Sequence, residues 1–115
     1  MERVNIGEFE ELVLLTVAIL NEDAYGVTVR EEIFSQTGRK QNISSIHATL
    51  DRLEKKGMVE SFLGGATHLR GGRRKRLFKV TAYGVRVMKY TREQRNALYN
   101  QIPEMVLKLS RYATS

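Results

Sequence analysis

The stretch Ile43–Val80, ISSIHATLDRLEKKGMVESFLGGATHLRGGRRKRLFKV, decides how this chain folds. Its first third is patterned as a helix: Ile43, Ile46, Leu50 and Leu53 recur at three- and four-residue spacing, one stripe of a 3.6-residue period. Ser44 or Ser45 is the expected cap at its start. Gly57 ends it, after Lys55 and Lys56, whose charges suit the negative C-terminal end of a helix. Two short runs with β-favouring side chains follow, Met58–Leu63 and Arg76–Val80. Glycines at positions 64, 65, 71 and 72 punctuate the segment between them, which predicts a hairpin with a bendable loop. A helix followed directly by a basic hairpin is the order of a winged helix-turn-helix.

Working outward, the N-terminal side predicts two more helices. Glu8–Leu20 is the first. Its tail, LVLLTVAIL, is apolar on every side, so burial by neighbours on several faces is expected, and its first turn is acidic, which suits the positive end of the helix dipole. Asn21-Glu22-Asp23 stops it. The second helix runs from about Tyr25 to Thr37, with Tyr25, Val29 and Ile33 in a stripe and Phe34 beside it, and Gly38 terminates it. On the C-terminal side Thr81 caps a long final helix with the stripe Val85, Met88, Leu98, Ile102, Met105 and Leu109. Polar residues from Thr91 to Arg95 interrupt that stripe. Pro103 is expected to kink this helix or to begin a new one. The fold class is therefore mainly α with a small β-hairpin wing: a winged helix-turn-helix over 1–81 and a C-terminal helix over 82–115, in one compact unit. Residues 113–115 are expected to fray.

The bulk composition sets the class. With 115 residues, 42% hydrophobic and 28% charged, the chain suits one soluble domain with a modest core. No apolar run reaches ~18 residues, so no membrane span is expected. The start, MERVNIGEFEEL, lacks the basic region and apolar core of a signal peptide. Cysteine is absent, which excludes disulfides and thiolate metal sites and fits a reducing, cytoplasmic location. The net charge of +6 favours polyanions. Its placement is sharper than its size. Between Gly64 and Val80 stand six basic residues, Arg70, Arg73, Arg74, Lys75, Arg76 and Lys79, and no acidic one.

A spaced apolar row by itself says only that a helix packs on a core, and a charge run is often merely solvated. The face opposite the stripe makes the stronger case. A helix enters the ~12 Å major groove when its outward side chains near the N-terminus are short. Ser44, Ser45, His47 and Thr49 have hydrogen-bonding groups suited to base edges, and Arg52 reaches guanine or phosphate. Arg70, Arg73, Arg74, Lys75 and Arg76 suit the DNA backbone, or a narrow minor groove. The Tyr25 hydroxyl fits either core packing or a phosphate contact. These readings make the chain a sequence-specific DNA binder that reads with helix 44–56 and a basic wing, 64–76. A non-specific architectural DNA binder, or a ligand-binding or protein-interaction dimer with an incidental wing, are the alternatives. Catalysis is not expected. Ser44, His47 and Asp51 share a helix face, but an exposed helix offers neither an oxyanion hole nor a buried acid. His47 and His68 are the only histidines and no ligand set accompanies them, so neither a metal nor a cofactor is expected.

These residues resemble the PadR-type bacterial transcriptional regulators over about residues 8–90. The resemblance is carried by Ala24-Tyr25-Gly26, by ISSIHATLDRLEKKGMVES at Ile43–Ser61, by RGGRRKRLFKVTAYG at Arg70–Gly84, and by the long helix that follows. Where this chain has His47, a tyrosine is common in such proteins. The resemblance implies a homodimeric repressor whose C-terminal helix builds the dimer through Val85, Met88, Leu98, Ile102, Met105 and Leu109, helped by the N-terminal helix. Two copies would read a pseudo-palindromic operator. Some relatives bind flat aromatic drugs with a tryptophan. This chain has none, so that mode does not carry over; Tyr90, Tyr99 and Tyr112 suit either stacking on a ligand or packing across a dimer.

Overall fold

The computed structural model describes residues 4–64 and 74–111. Three helices come first: α1 (Glu8–Leu20), α2 (Gly26–Thr37) and α3 (Ile43–Lys55). An antiparallel hairpin of β1 (Val59–Leu63) and β2 (Arg76–Val80) follows, then α4 (Ala82–Tyr99) and the short α5 (Glu104–Leu107). Short 3-10 turns occupy Asn21–Asp23 and Lys108–Arg111. The architecture is mainly helical with a small wing and a C-terminal helix, as the sequence patterning predicts.

The core forms where the stripes of α1, α2 and α3 meet. Leu14, Val17, Val29, Ile33, Ile46, Leu50 and Leu53 are fully buried there. Each such side chain contributes roughly 1.5–3 kcal/mol relative to exposure. The hairpin adds Val59 and Phe78, and α4 adds Val87. The Phe78 N–H donates to the Ala24 carbonyl at 2.8 Å, which stitches β2 to the segment preceding α2.

The ends of the elements have local causes. Gly38 (φ 75°) and Gly57 (φ 77°) take the left-handed conformation that ends α2 and turns the chain from α3 into β1. The cap of α3 is Asn42, not Ser44 or Ser45: the Asn42 carboxamide oxygen accepts from the Ser45 N–H at 2.7 Å. Both serines thus lie inside the first turn. Thr81 caps α4 as expected, accepting from the Gly84 N–H at 3.0 Å while donating to the Gly57 carbonyl at 2.6 Å.

Two features of the apolar pattern come out differently. Helix α1 is not covered all round. Val13, Leu14 and Val17 are buried, but Leu15 and Ile19 are 41% and 59% exposed, because α2, α3 and the hairpin pack on one side of α1 only. Between the other side and α4 runs an open, mostly apolar groove of about 750 Å³, floored by Leu15, Ala18, Ile19, Val85 and Met88. Helix α4 packs through Gly84, Val87 and Thr91, a row offset from the expected stripe, and past Thr91 it is exposed on every side. The polar interruption at Thr91–Arg95 therefore marks where the helix leaves the body. Thr91 is buried without penalty, since its hydroxyl donates to the Val87 and Met88 carbonyls at 3.0 and 3.1 Å. Pro103 begins a new helix, standing at the cap of α5. The radius of gyration is 17.6 Å. A compact chain of this length would have about 13 Å, and the projecting C-terminal arm accounts for the difference.

Candidate nucleic-acid interface

Three elements converge beside the outer face of α3. Helix α2 begins at Gly26, after Tyr25, whose N–H donates to the Thr28 hydroxyl at 3.0 Å. Gly26 lies directly under the imidazole of His47: a Cβ built on Gly26 would stand 2.6 Å from His47 Nε2. The glycine thus lets a side chain of α3 lie across the start of α2. From the hairpin, Lys75 Nζ reaches the Tyr25 hydroxyl at 3.3 Å and sits 4.5 Å from the centre of the Tyr25 ring. Tyr25 is half-buried, neither core nor free. The positive end of the α2 dipole, with an ammonium and a phenol beside it, forms a surface suited to an anionic oxygen.

The candidate base-reading residues divide. Ser44 and His47 are exposed on the outer face, and Ser45 is half-buried, its hydroxyl 3.4 Å from the Gln41 carboxamide oxygen. Thr49 does not belong with them. It is 1% exposed and its hydroxyl donates to the Ser45 carbonyl at 2.9 Å, so it completes the core stripe and has no route to a base edge. Arg52 leans toward α1, donating to Glu10 Oε2 at 3.4 Å and to the Thr49 hydroxyl at 3.1 Å, with its side chain 53% exposed.

Of the wing cations, Arg70 and Arg73 lie outside the described residues, as do Gly65, His68, Gly71 and Gly72. Arg74 is exposed and Lys75 faces Tyr25. Arg76 is engaged elsewhere: one nitrogen donates to Asp51 at 3.1 Å and another to Glu54 at 2.7 Å. Two carboxylates on α3 thus neutralise the cation nearest the sheet.

Two carboxylates organise this region without appearing among the expected site residues. Burial pushes the Glu10 carboxyl upward, but the Gly7 N–H and Lys56, with Arg52, outweigh it and hold Glu10 below the usual range. Lys56 Nζ is 2.8 Å from Glu10 Oε1 and also donates to the Asn5 carbonyl at 2.9 Å. Glu10 thereby ties the start of α1 to the end of α3. Its position was legible in principle, since Glu10 heads the stripe Glu10, Val13, Leu14, Val17 at helical spacing. Glu54 accepts from the Ser61 hydroxyl and N–H and from Arg76. The Ser61 hydroxyl is the main influence; opposed in part by desolvation, these partners keep the carboxyl below its usual range. Among the described residues no acidic, histidine or cysteine cluster fit for a metal forms, and no helix is long and apolar enough to cross a membrane.

Residues 14–90 match the family described as the Transcriptional regulator PadR-like family. An uncharacterised protein of Lysinibacillus sphaericus is 31% identical over 80 residues, 68% of this chain and 69% of that protein. Among solved structures, a PadR-like transcriptional regulator of Bacillus cereus superposes with a TM-score of 0.68 at 17% identity, covering 85% of this chain and 90% of that one. A PadR family transcriptional regulator of Eggerthella lenta superposes with a TM-score of 0.64 at 22% identity, covering 86% of each chain. At these identities the structural likeness speaks for the fold.

Proposed function

The chain belongs to the PadR-like family of transcriptional regulators, and from that premise we propose that it is a homodimeric repressor that binds a pseudo-palindromic operator. The observation that carries the DNA surface is the convergence of Tyr25 and Gly26, His47 and Lys75 from α2, α3 and the base of the hairpin. In this reading one phosphate sits at the start of α2 against Lys75 and the Tyr25 hydroxyl. That contact sets the depth of α3 in the major groove, and Ser44, Ser45 and His47 meet base edges. Arg74 and the wing cations beyond it follow the backbone. Arg52 serves DNA only by exchanging Glu10 for a phosphate or a guanine. The uncovered groove between α1 and α4, with the apolar arm beyond Thr91, supports pairing of two copies, which would set two α3 helices about one DNA turn apart.

The test is fluorescence anisotropy of the purified protein on its own upstream DNA and on a shuffled duplex across a salt series. A sequence-specific regulator binds its own DNA at least about a thousandfold more tightly, with a steep salt dependence. Equal binding to both duplexes, at any salt, would point to an architectural protein instead. Absence of binding to either would leave the ligand- or protein-interaction reading.

A further inference from the structure

We infer that Glu54 is the positioning residue of the wing: it fixes the angle between the hairpin and α3. This rests on the reading of α3 and the hairpin as a DNA surface. The hairpin register pairs Ser61 with Phe78 and Leu63 with Arg76. Beyond the last pair, the Gly64 N–H donates to the Lys75 carbonyl at 2.7 Å. In an antiparallel ladder, hydrogen-bonded and non-bonded pairs alternate. Counting back from Gly64 and Lys75, the Ser61–Phe78 rung is non-bonded, so its two N–H groups point away from the hairpin. Each finds an acceptor in the body of the protein. Phe78 N–H donates to the Ala24 carbonyl at 2.8 Å on one edge, and Ser61 N–H donates to Glu54 Oε2 at 3.0 Å on the other.

Glu54 then does a second thing. Its other oxygen takes Arg76 at 2.7 Å, and Arg76 also reaches Asp51 at 3.1 Å. Arg76 belongs to the last strand pair before the loop, two residues nearer the tip than the Ser61–Phe78 rung. One carboxylate on the last turn of α3 therefore holds both strands, at two points along the hairpin. Two points of attachment define a direction, where one would leave a pivot. The residues next along the chain are Lys75 and Arg74, the described cations that leave the sheet toward the loop. Their reach relative to His47 and Ser44 is set by this clamp.

The sign of one substitution separates positioning from plain electrostatics. Glu54→Gln removes a negative charge from the side of α3 and leaves Arg76 to Asp51 alone, so a purely electrostatic role predicts tighter DNA binding. A positioning role predicts weaker binding by the folded protein, by about tenfold, the scale of one lost charge-assisted contact. It also predicts a smaller loss in an Arg74→Ala, Lys75→Ala background, where the two shoulder cations are gone and only the wing cations beyond them still depend on the angle. Equal or tighter binding by a Glu54→Gln protein of unchanged melting temperature overturns the inference, as does a loss that is undiminished in the Arg74→Ala, Lys75→Ala background. A readout without DNA keeps the two proposals apart. Residual dipolar couplings of the Gly64 and Lys75 amides against those of α3 report hairpin orientation directly, and Glu54→Gln should change them. Unchanged couplings overturn the clamp even if the protein binds DNA. Changed couplings in a protein that binds no DNA keep the clamp and remove the DNA reading.

Discussion

A Cβ placed on Gly84 would drive into the carbonyl oxygen of Met58 and within 2.7 Å of a Val80 methyl group. The obstacle is backbone, so a rotamer change does not relieve it. Helix α4 lies this close to the start of β1 because Thr81 N–H donates to the same Met58 carbonyl at 3.1 Å. Gly84→Ala should therefore destabilise the fold by about 1–3 kcal/mol, the usual cost of overpacking. Urea unfolding reads this as a lower midpoint, and a midpoint equal to wild type would mean that α4 shifts freely. Glu10 gives a prediction of a different kind. Its carboxyl is held below the ordinary 4.5 in the folded state by Gly7, Lys56 and Arg52 despite its burial. A depressed folded value means that the folded state favours the carboxylate. The stabilisation is complete above the unfolded value, near pH 4.5, and is lost as pH falls through the folded one. Urea midpoints measured from pH 7 down to pH 3 should fall more steeply for wild type than for Glu10→Gln in the acid range. Parallel curves would show that Glu10 does not link α1 to α3 as described.

In the proposed reading α3 and the wing divide the labour of binding, and two substitutions should separate them. Arg74 is exposed at the wing base. Arg74→Ala is expected to weaken binding to all duplexes alike and to reduce the salt slope by about one unit. His47→Ala should leave the slope alone and cost about 1–3 kcal/mol on the operator only, collapsing the difference between operator and shuffled DNA. If Arg74→Ala changes specificity instead, the wing reads bases rather than phosphates. How far these elements could be read from the sequence follows from what makes each of them. Helices α1 to α3 and both strands are legible because period, caps and turn glycines agree locally. The Asn42 cap was missed because Asn42, Ser44 and Ser45 are all good caps, and only the geometry of Gln41–Ser45 chooses among them. The burial of Thr49 escapes the sequence for a related reason. A threonine at helical spacing is equally compatible with either face, and the internal bond to Ser45 makes it cheap to bury. The ties from Glu10 to Lys56 and from Glu54 to Ser61 and Arg76 span elements, so no local pattern announces them. The sequence shows Arg76 as one more wing cation and gives no sign of its carboxylate partners, which stand 22 and 25 residues away on another element.

At the scale of the whole molecule, the described apolar surface includes side chains that one chain leaves exposed. Leu15 and Ile19 on α1 are open, and so are Leu98, Met105 and Leu109 on the arm, at 62%, 75% and 63% exposure. The arm has no core of its own: every described residue from 103 to 111 is exposed. Exposed apolar side chains grouped in one region usually mark an interface. In the proposed dimer, burial against a second copy would be isologous, so each chain would offer both groove and arm. The consequence for DNA binding is large, because two linked α3 helices gain about 10²–10⁴ in affinity over one by effective concentration alone. Ile19→Glu and Leu98→Glu test this, since both positions are solvent-exposed within one chain and the single-chain fold should survive. Sedimentation velocity should show wild type at twice the chain mass and each variant at the chain mass, with unchanged far-UV circular dichroism. The variants should bind a full operator no more tightly than an isolated half-site, losing at least about a hundredfold. A wild type that sediments as a monomer would sink the dimer, and variants that keep full operator affinity as monomers would show that one α3 and one wing suffice.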